Sequence, residues 1–264
     1  MEPLLSVSHV FKTFGHLRAV QDISLDVPAG VVTAVVGPNG AGKTTLFNCI
    51  SGVTRPDRAE IRLRRPEPVA LVGLDVEDVC RAGIARTFQQ VRLFDSLSVV
   101  DNVMLGGLHL HRFGWAAALF DRLLRGSRKH RELRDQAIAH LSRVGLAEQA
   151  ERLAGELDHG NRRRTEIARA LASRPLVLLL DEPAAGMNRI ETDVLMDLLR
   201  ELCAGGLAVL LIEHDMKMVM QVSERVYVMD HGELLTAGAP ADVTADPRVI
   251  EAYLGTTGLR HAAG

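Results

Sequence analysis

Gly37-Pro38-Asn39-Gly40-Ala41-Gly42-Lys43-Thr44 is the stretch on which the fold turns. It fits the phosphate-binding pattern G-x-x-x-x-G-K-[ST]. Its three glycines reach backbone geometry that a Cβ forbids, so successive N–H groups can turn inward around an anion. Lys43 brings a positive charge for β- and γ-phosphates. Thr44 brings a hydroxyl for Mg²⁺, an ion that keeps several waters and takes few protein ligands. Thr45 completes the candidate cradle. A helix expected from Lys43 through Ile50 would point its positive end at the phosphates. Upstream, Val31-Val32-Thr33-Ala34-Val35-Val36 is β-branched and apolar, as a buried strand of a parallel sheet is. Strand, glycine loop and helix is the context the motif requires.

The whole chain sets bounds on what this loop serves. At 264 residues it is one large domain, or one domain with a subdomain. A net charge of −2 leaves no global basic field for nucleic acid. Hydrophobic residues make up 47%, ample for a core. No apolar run approaches the roughly 18–20 residues that span a bilayer. Met1-Glu2-Pro3-Leu4-Leu5 lacks the basic start and long apolar stretch of a signal peptide. Cys49, Cys80 and Cys203 are odd in number and lack metal-site spacing, which fits a reducing compartment.

Along the chain, residues 4–36 read as strands and turns, with Pro28-Ala29-Gly30 as a turn before the loop strand. Residues 55–80, rich in Arg, Pro and Glu, read as irregular surface. Residues 97–155 read as helical, with an arginine-rich amphipathic piece from Phe120 to His140 whose charges point to a solvated face. Buried strands return at Leu176–Leu180 and Leu207–Ile212, with a helix from Ile190 to Leu202 between them. Val226–Asp230 and Gly232–Leu235 read as a hairpin around Asp230-His231-Gly232. The expected fold is α/β: a P-loop core with a parallel sheet, an N-terminal antiparallel β subdomain and a helical subdomain.

The strand Leu176–Leu180 delivers Asp181-Glu182. Alone, such a pair is more often a cap or a turn. Downstream of a P-loop it has a use: Asp181 can hold Mg²⁺ through its water shell, and Glu182 can take a proton from water attacking a γ-phosphate. His214, after the second buried strand, could reach the same phosphate, although the chain has ten histidines. Gln89, in Arg86-Thr87-Phe88-Gln89-Gln90, could meet Mg²⁺ or water; in isolation it reads as a solvated loop residue.

Taken in order, the P-loop, Gln89, the segment around Gly160, Leu176–Glu182, Ala185-Gly186-Met187-Asn188 and His214 resemble the ATP-binding cassette ATPases, to about residue 255. The resemblance implies one cassette over residues 1–264. Its core would lie in about 1–90 and 160–255, its helical subdomain in about 91–159 and a tail in 256–264. It implies ATP and Mg²⁺ as cofactors, Phe14 stacking on adenine, and Gln89 coupling the site to a membrane subunit. It further implies Glu182 as the catalytic base, Asn188 in a loop crossing a dimer, and His214 as a switch residue. Gly83–Gln89, Arg92-Leu93-Phe94, Asp181–Gly186, Glu213–Met216, Asp246–Gly255 and an arginine-rich insert near 109–135 are similar to one subgroup, the ATPase subunits of importers for branched-chain amino acids, with related importers for urea and amides. The partners implied are a second, often different, ATPase subunit, transmembrane permeases and, indirectly, an extracytoplasmic solute-binding protein, with no nucleic acid. The place implied is the cytoplasmic face of the membrane, as a peripheral subunit. Exporter or lipid-transport ATPases, and a regulatory subunit without turnover, are the rival readings. A guanine-reading Asn-Lys-x-Asp is absent from the sequence.

One element departs from that family's pattern. The signature loop, roughly L-S-G-G-Q, reads Leu157-Asp158-His159-Gly160-Asn161. The resemblance implies that this loop meets the γ-phosphate held by the other subunit, and here a carboxylate replaces the serine. Two unit charges at 4 Å cost about 4 kcal/mol at an effective dielectric near 20. Asp158 is also a good N-cap for a helix from Gly160 to Ala172, and Arg162, four residues on, could pair with it.

Overall fold

A computed structural model describes residues 2–110 and 128–253. Residues Phe120–Ser127 of the arginine-rich piece, part of the 109–135 insert and the tail lie outside the described residues.

The apolar strands assemble as their patterns dictate. β3 (Val32–Val36), β7 (Val177–Asp181) and β8 (Ala208–Ile212) are buried along their whole length. Successive side chains of a strand point to opposite faces, and each strand sorts its residues accordingly. Val177, Leu179, Ala208 and Leu210 enter one core, while Leu178, Leu180, Val209 and Leu211 enter another. A strand buried on both faces needs an unbroken apolar run, which is what these segments carry. The six-stranded sheet has the order β10-β9-β3-β8-β7-β6, with β6 (Ile84–Arg86), β9 (Arg225–Asp230) and β10 (Glu233–Gly238). Its strands run parallel except β10, which pairs antiparallel with β9. The hairpin turns at His231 (φ 47°) and Gly232 (φ 82°), the pair of positive φ values a two-residue type I′ turn demands.

A second sheet, antiparallel, has the order β2-β1-β4-β5, built from β1 (Leu5–Phe14), β2 (Leu17–Val27), β4 (Arg58–Leu63) and β5 (Val69–Ala70). It covers α1 (Lys43–Ile50), whose Leu46, Phe47 and Ile50 join Leu5, Val7, Ile61 and Leu63 in one core. Residues 55–80 are therefore not irregular surface. Ile61 and Leu63 are buried while Arg58, Glu60 and Arg62 take the exposed positions between them. The charges that made the segment read as a loop are the solvent face of a half-buried strand. α2 (Val76–Ala82) follows, capped by Asp75.

On the other face of the large sheet lie α3 (Val99–Gly107), α4 (Arg128–Arg143), α5 (His159–Ala172) and α6 (Arg189–Ala204). Between α3 and α5 the described residues hold short 3-10 turns as well as α4, so the stretch 97–155 is less continuously helical than its composition implies. α7 (Met216–Val222) and α8 (Pro240–Ala245) pack a small third core with Val226, Val228 and Val249. Among the described residues no helix is long and apolar enough to cross a membrane.

Candidate nucleotide site

The parallel strands bring their carboxyl ends to one edge, where loops in such sheets form ligand sites. The loop after β3 wraps the start of α1. Gly37 and Gly42 are required by close approach. A Cβ on Gly37 would lie 2.0 Å from the Met229 carbonyl oxygen, and one on Gly42 would lie 2.2 Å from that of Ala19. Gly42 is also the N-cap of α1 and supplies no side chain to its first N–H groups. Those donors have no partner within the helix and face the loop, the arrangement that receives an anion.

A cavity of about 480 Å³ opens over this loop, lined by Asn39, Gly40, Ala41, Gly42, Lys43, Thr44 and Thr45 on one side. Phe14, Leu17, Arg18, Ala19, Gln89, Glu182 and His231 complete it. Gly37 and Pro38 lie behind the cradle, where their carbonyls accept hydrogen bonds of 2.7 and 2.9 Å from Lys43 Nζ. Lys43 is buried, which lowers its pKa, while the charges of Glu182 and Asp181 oppose the fall.

Asp181 ends β7 and is buried against Arg86 at the end of β6. Arg86 Nη2 donates to Asp181 Oδ2 at 2.9 Å, and Arg86 Nη1 donates to Asn48 Oδ1 and Ser51 Oγ. Burial raises the Asp181 pKa, and the Arg86 hydrogen bond and charge pull it back. Glu182 follows in the left-handed region at φ 48°, a costly position for a residue with a Cβ, with its N–H bonded to the Ile212 carbonyl. This turn carries Glu182 out of the strand line to the cavity wall, where Gln89 Nε2 donates to Glu182 Oε2 at 2.9 Å. Gln89 and Glu182 are 93 residues apart in sequence.

The other expected residues are placed as follows. Phe14 ends β1, half exposed, with Lys12 Nζ 5.2 Å from its ring centre. Asp57 fixes that strand end by accepting from Lys12 Nζ and the Thr13 N–H. His214 does not line the cavity; its side chain is 60% exposed and lies 3.9 Å from the buried carboxylate of Glu213. Asn188 is the N-cap of α6, in a reciprocal capping box with Glu191.

Asp158 is the N-cap of α5: Oδ1 accepts from the Asn161 N–H at 2.8 Å and Oδ2 from Asn161 Nδ2 at 2.6 Å. Asn161 Oδ1 in turn accepts from Arg164 Nη2. Arg162 does not pair with Asp158. It reaches back to Asp95 Oδ1 at 2.7 Å and to the Ala154 carbonyl, because the cap turns the carboxylate inward onto the first turn. His159 packs its ring over Gly186, and Gly160 packs beside Glu191.

Arg86, Asn48, Glu213 and Arg163 escaped the sequence reading. A charged residue ending an apolar strand, as in Ile84-Ala85-Arg86, is the signal that could have drawn attention to the first.

Thr44 and Gln89 line the cavity together, and their oxygens are of the kind a hard cation with few protein ligands takes. Asp181 does not line the cavity, and its Oδ2 is taken by Arg86. Among the described residues no group of three or more His, Cys, Asp or Glu is placed to hold a metal unaided.

The family model described as ABC transporter matches residues 20–185. The branched-chain amino acid transport ATP-binding protein LivG of Escherichia coli (strain K12) is 42% identical over 258 residues, covering 96% of this chain and 98% of that protein. The lipopolysaccharide export ATP-binding protein LptB of Acidithiobacillus ferridurans is 34% identical, covering 97% and 98%. A solved ATP-binding cassette of an ABC transporter, MJ1267 in its ADP conformation, superimposes with a TM-score of 0.83 at 29% identity, covering 97% of this chain and all of that one. The chain belongs to the ATP-binding proteins of the ABC transporter family. Within that family its C-terminal segment, residues 233–258, matches the model described as branched-chain amino acid ATP-binding cassette transporter.

Proposed function

We propose that this chain is the ATP-hydrolysing subunit of an importer for branched-chain amino acids or related small polar solutes. The observation that carries the hydrolytic reading is the Glu182 carboxylate, held by Gln89 on the wall of a cavity whose opposite wall is the Lys43 loop. Thr44, Asp181 and Gln89 would hold Mg²⁺, which would neutralise phosphate charge when bound. Lys43 and the first N–H groups of α1 receive the phosphates. Glu182 accepts a proton from water as the water oxygen bonds to the γ-phosphorus and the bond to the β–γ bridging oxygen breaks. His214 would reach that phosphate by rotating from its exposed position. Kinship to LivG at 42% identity and the match at 233–258 favour import over export as the coupled process. The partners are transmembrane permeases and a second ATPase subunit at the cytoplasmic face of the membrane. ATP turnover by the purified chain, measured against protein concentration, tests the reading. A rate rising with the square of concentration means a competent homodimer, and ATP binding without turnover means that a different ATPase subunit is required.

Phe14 supports the base. Stacking of a base on an aromatic ring is worth about 1–3 kcal/mol. Phe14→Ala is therefore expected to weaken ATP binding by about tenfold, with little change in melting temperature because the ring is half exposed. Titration with ATP and with ITP checks this; equal affinity in the variant and the parent removes Phe14 from the site.

Asp158 favours unequal partners. Its carboxylate and the Asn161 amide are committed to each other within the loop. A phosphate brought against that loop by a partner would meet a negative charge. The site built on this chain's own P-loop would be the active one, completed by a partner's loop. Asp158→Ser keeps a good N-cap and is expected to raise nucleotide occupancy of the partner's site in the heterodimer by roughly tenfold, a screened fraction of the full repulsion. Unchanged turnover and unchanged occupancy at both sites would sink the asymmetry.

A further inference from the structure

α5 carries a row of charged side chains, Arg163, Glu166 and Arg169, spaced three apart and so on one face of the helix. That face is turned inward: the Arg163 side chain is 0% exposed and Glu166 only 2%. Each member of the row holds the loop that follows β6. Arg163 Nη1 donates to the Phe88 carbonyl at 2.6 Å, and Nη2 donates to the Gln89 carbonyl at 2.6 Å. Glu166 Oε1 accepts from the Arg92 N–H, and Arg169 Nη1 donates to the Arg92 carbonyl. Arg163 also pairs with Glu166 Oε2 at 2.9 Å, which balances its charge in the interior. Between Arg86 and Arg92 the Phe88 ring is flanked by two guanidinium groups, 5.2 and 4.6 Å from its centre.

The loop is thus gripped at both ends by one helix, and it carries Gln89, whose amide holds Glu182. A buried arginine costs desolvation unless its donors are satisfied. Here Nη1 and Nη2 are spent on adjacent main-chain carbonyls and on Glu166, in directions that the planar guanidinium fixes, while the buried Nε has no hydrogen-bond partner. We infer that Arg163 is a positioning residue for hydrolysis: its guanidinium fixes the main chain of Phe88 and Gln89 so that the Gln89 amide can orient the Glu182 carboxylate. The inference rests on the proposed role of Glu182, and it makes α5 the mechanical link between the helices on that face of the sheet and the reacting water.

The test uses the full chain, with Arg163→Lys, Gln89→Ala and the pair together. Lysine keeps the buried charge but replaces the planar fork, whose two terminal nitrogens reach the Phe88 and Gln89 carbonyls and Glu166 together, with a single ammonium nitrogen on a flexible stem. Arg163→Lys is expected to lower kcat about tenfold at saturating ATP, with the affinity for ATP within about threefold of the parent. In the Gln89→Ala background the same change is expected to have no further effect, the non-additivity of residues acting through one another. Multiplying effects, or a parental kcat in Arg163→Lys, overturn the inference. Hydrogen exchange gives a readout that does not depend on turnover. Exchange in residues 87–93 is expected to rise in Arg163→Lys while residues 32–50 keep the parental pattern; an unchanged 87–93 segment overturns it equally. Should Arg163→Lys melt far below the parent, Arg163→Met with Glu166→Met, which removes both buried charges together, enters the same cycle. Glu182→Gln turning over at the parental rate would sink the role given to Glu182 while leaving the exchange result to stand or fall by itself.

Discussion

Glu182→Gln is expected to lower the rate of ATP hydrolysis by about 10²–10³-fold, within the range for losing a positioned general base. The glutamine fits the same turn and can still accept the Gln89 hydrogen bond through its carbonyl oxygen, so the cavity wall stays in place. What disappears is the group proposed to take the proton. ATP binding is expected to hold or tighten, because a carboxylate that shares the site with the incoming phosphates is removed. Single-turnover hydrolysis and equilibrium ATP binding, measured on the same preparation, separate the two effects. A variant that hydrolyses ATP at the parental rate would move the base elsewhere, and the exposed His214 would be the next residue to examine.

Lys43→Met is expected to weaken ATP binding by about 100-fold. A charge pair at 4 Å is worth about 4 kcal/mol at an effective dielectric near 20, and screening by water in an open cavity takes part of that away. The apo protein should not suffer. Burial already disfavours the Lys43 ammonium more than Glu182 and Asp181 favour it, since its pKa lies below the ordinary lysine value. Methionine keeps most of the length of the stem and removes that burden, at the cost of the hydrogen bonds to the Gly37 and Pro38 carbonyls. Calorimetric titration with Mg-ATP, beside a thermal melt, checks both halves. Affinity within threefold of the parent, or a melting temperature that falls by ten degrees, would contradict this account of the loop.

The phosphate loop, its strand and its helix were legible because their information is contiguous. Glycine at 37 and 42, an apolar run before them and Lys43-Thr44 after them specify a local shape that needs nothing distant. Asp181-Glu182 at the end of an apolar strand was legible for the same reason, as was the turn at His231-Gly232. Residues 55–80 misled because alternating arginine and glutamate on an amphipathic strand resemble a surface loop until the opposite face is seen packed. The pairing of Arg162 with Asp158 misled because spacing alone permits it, while the cap geometry spends the carboxylate elsewhere.

By itself the sequence determined the phosphate-loop motif, the apolar strands and the carboxylate pair that ends one of them. Only the tertiary structure decided which side chains meet. The order β3-β8-β7-β6 sets the ends of four strands side by side, and that order joins Arg86 to Asp181 across 95 residues and Gln89 to Glu182 across 93. Arg163 reaches the same loop from a helix 74 residues away. Contacts of that span depend on how the whole sheet and its covering helices pack, and no window of residues along the chain contains the distance between them.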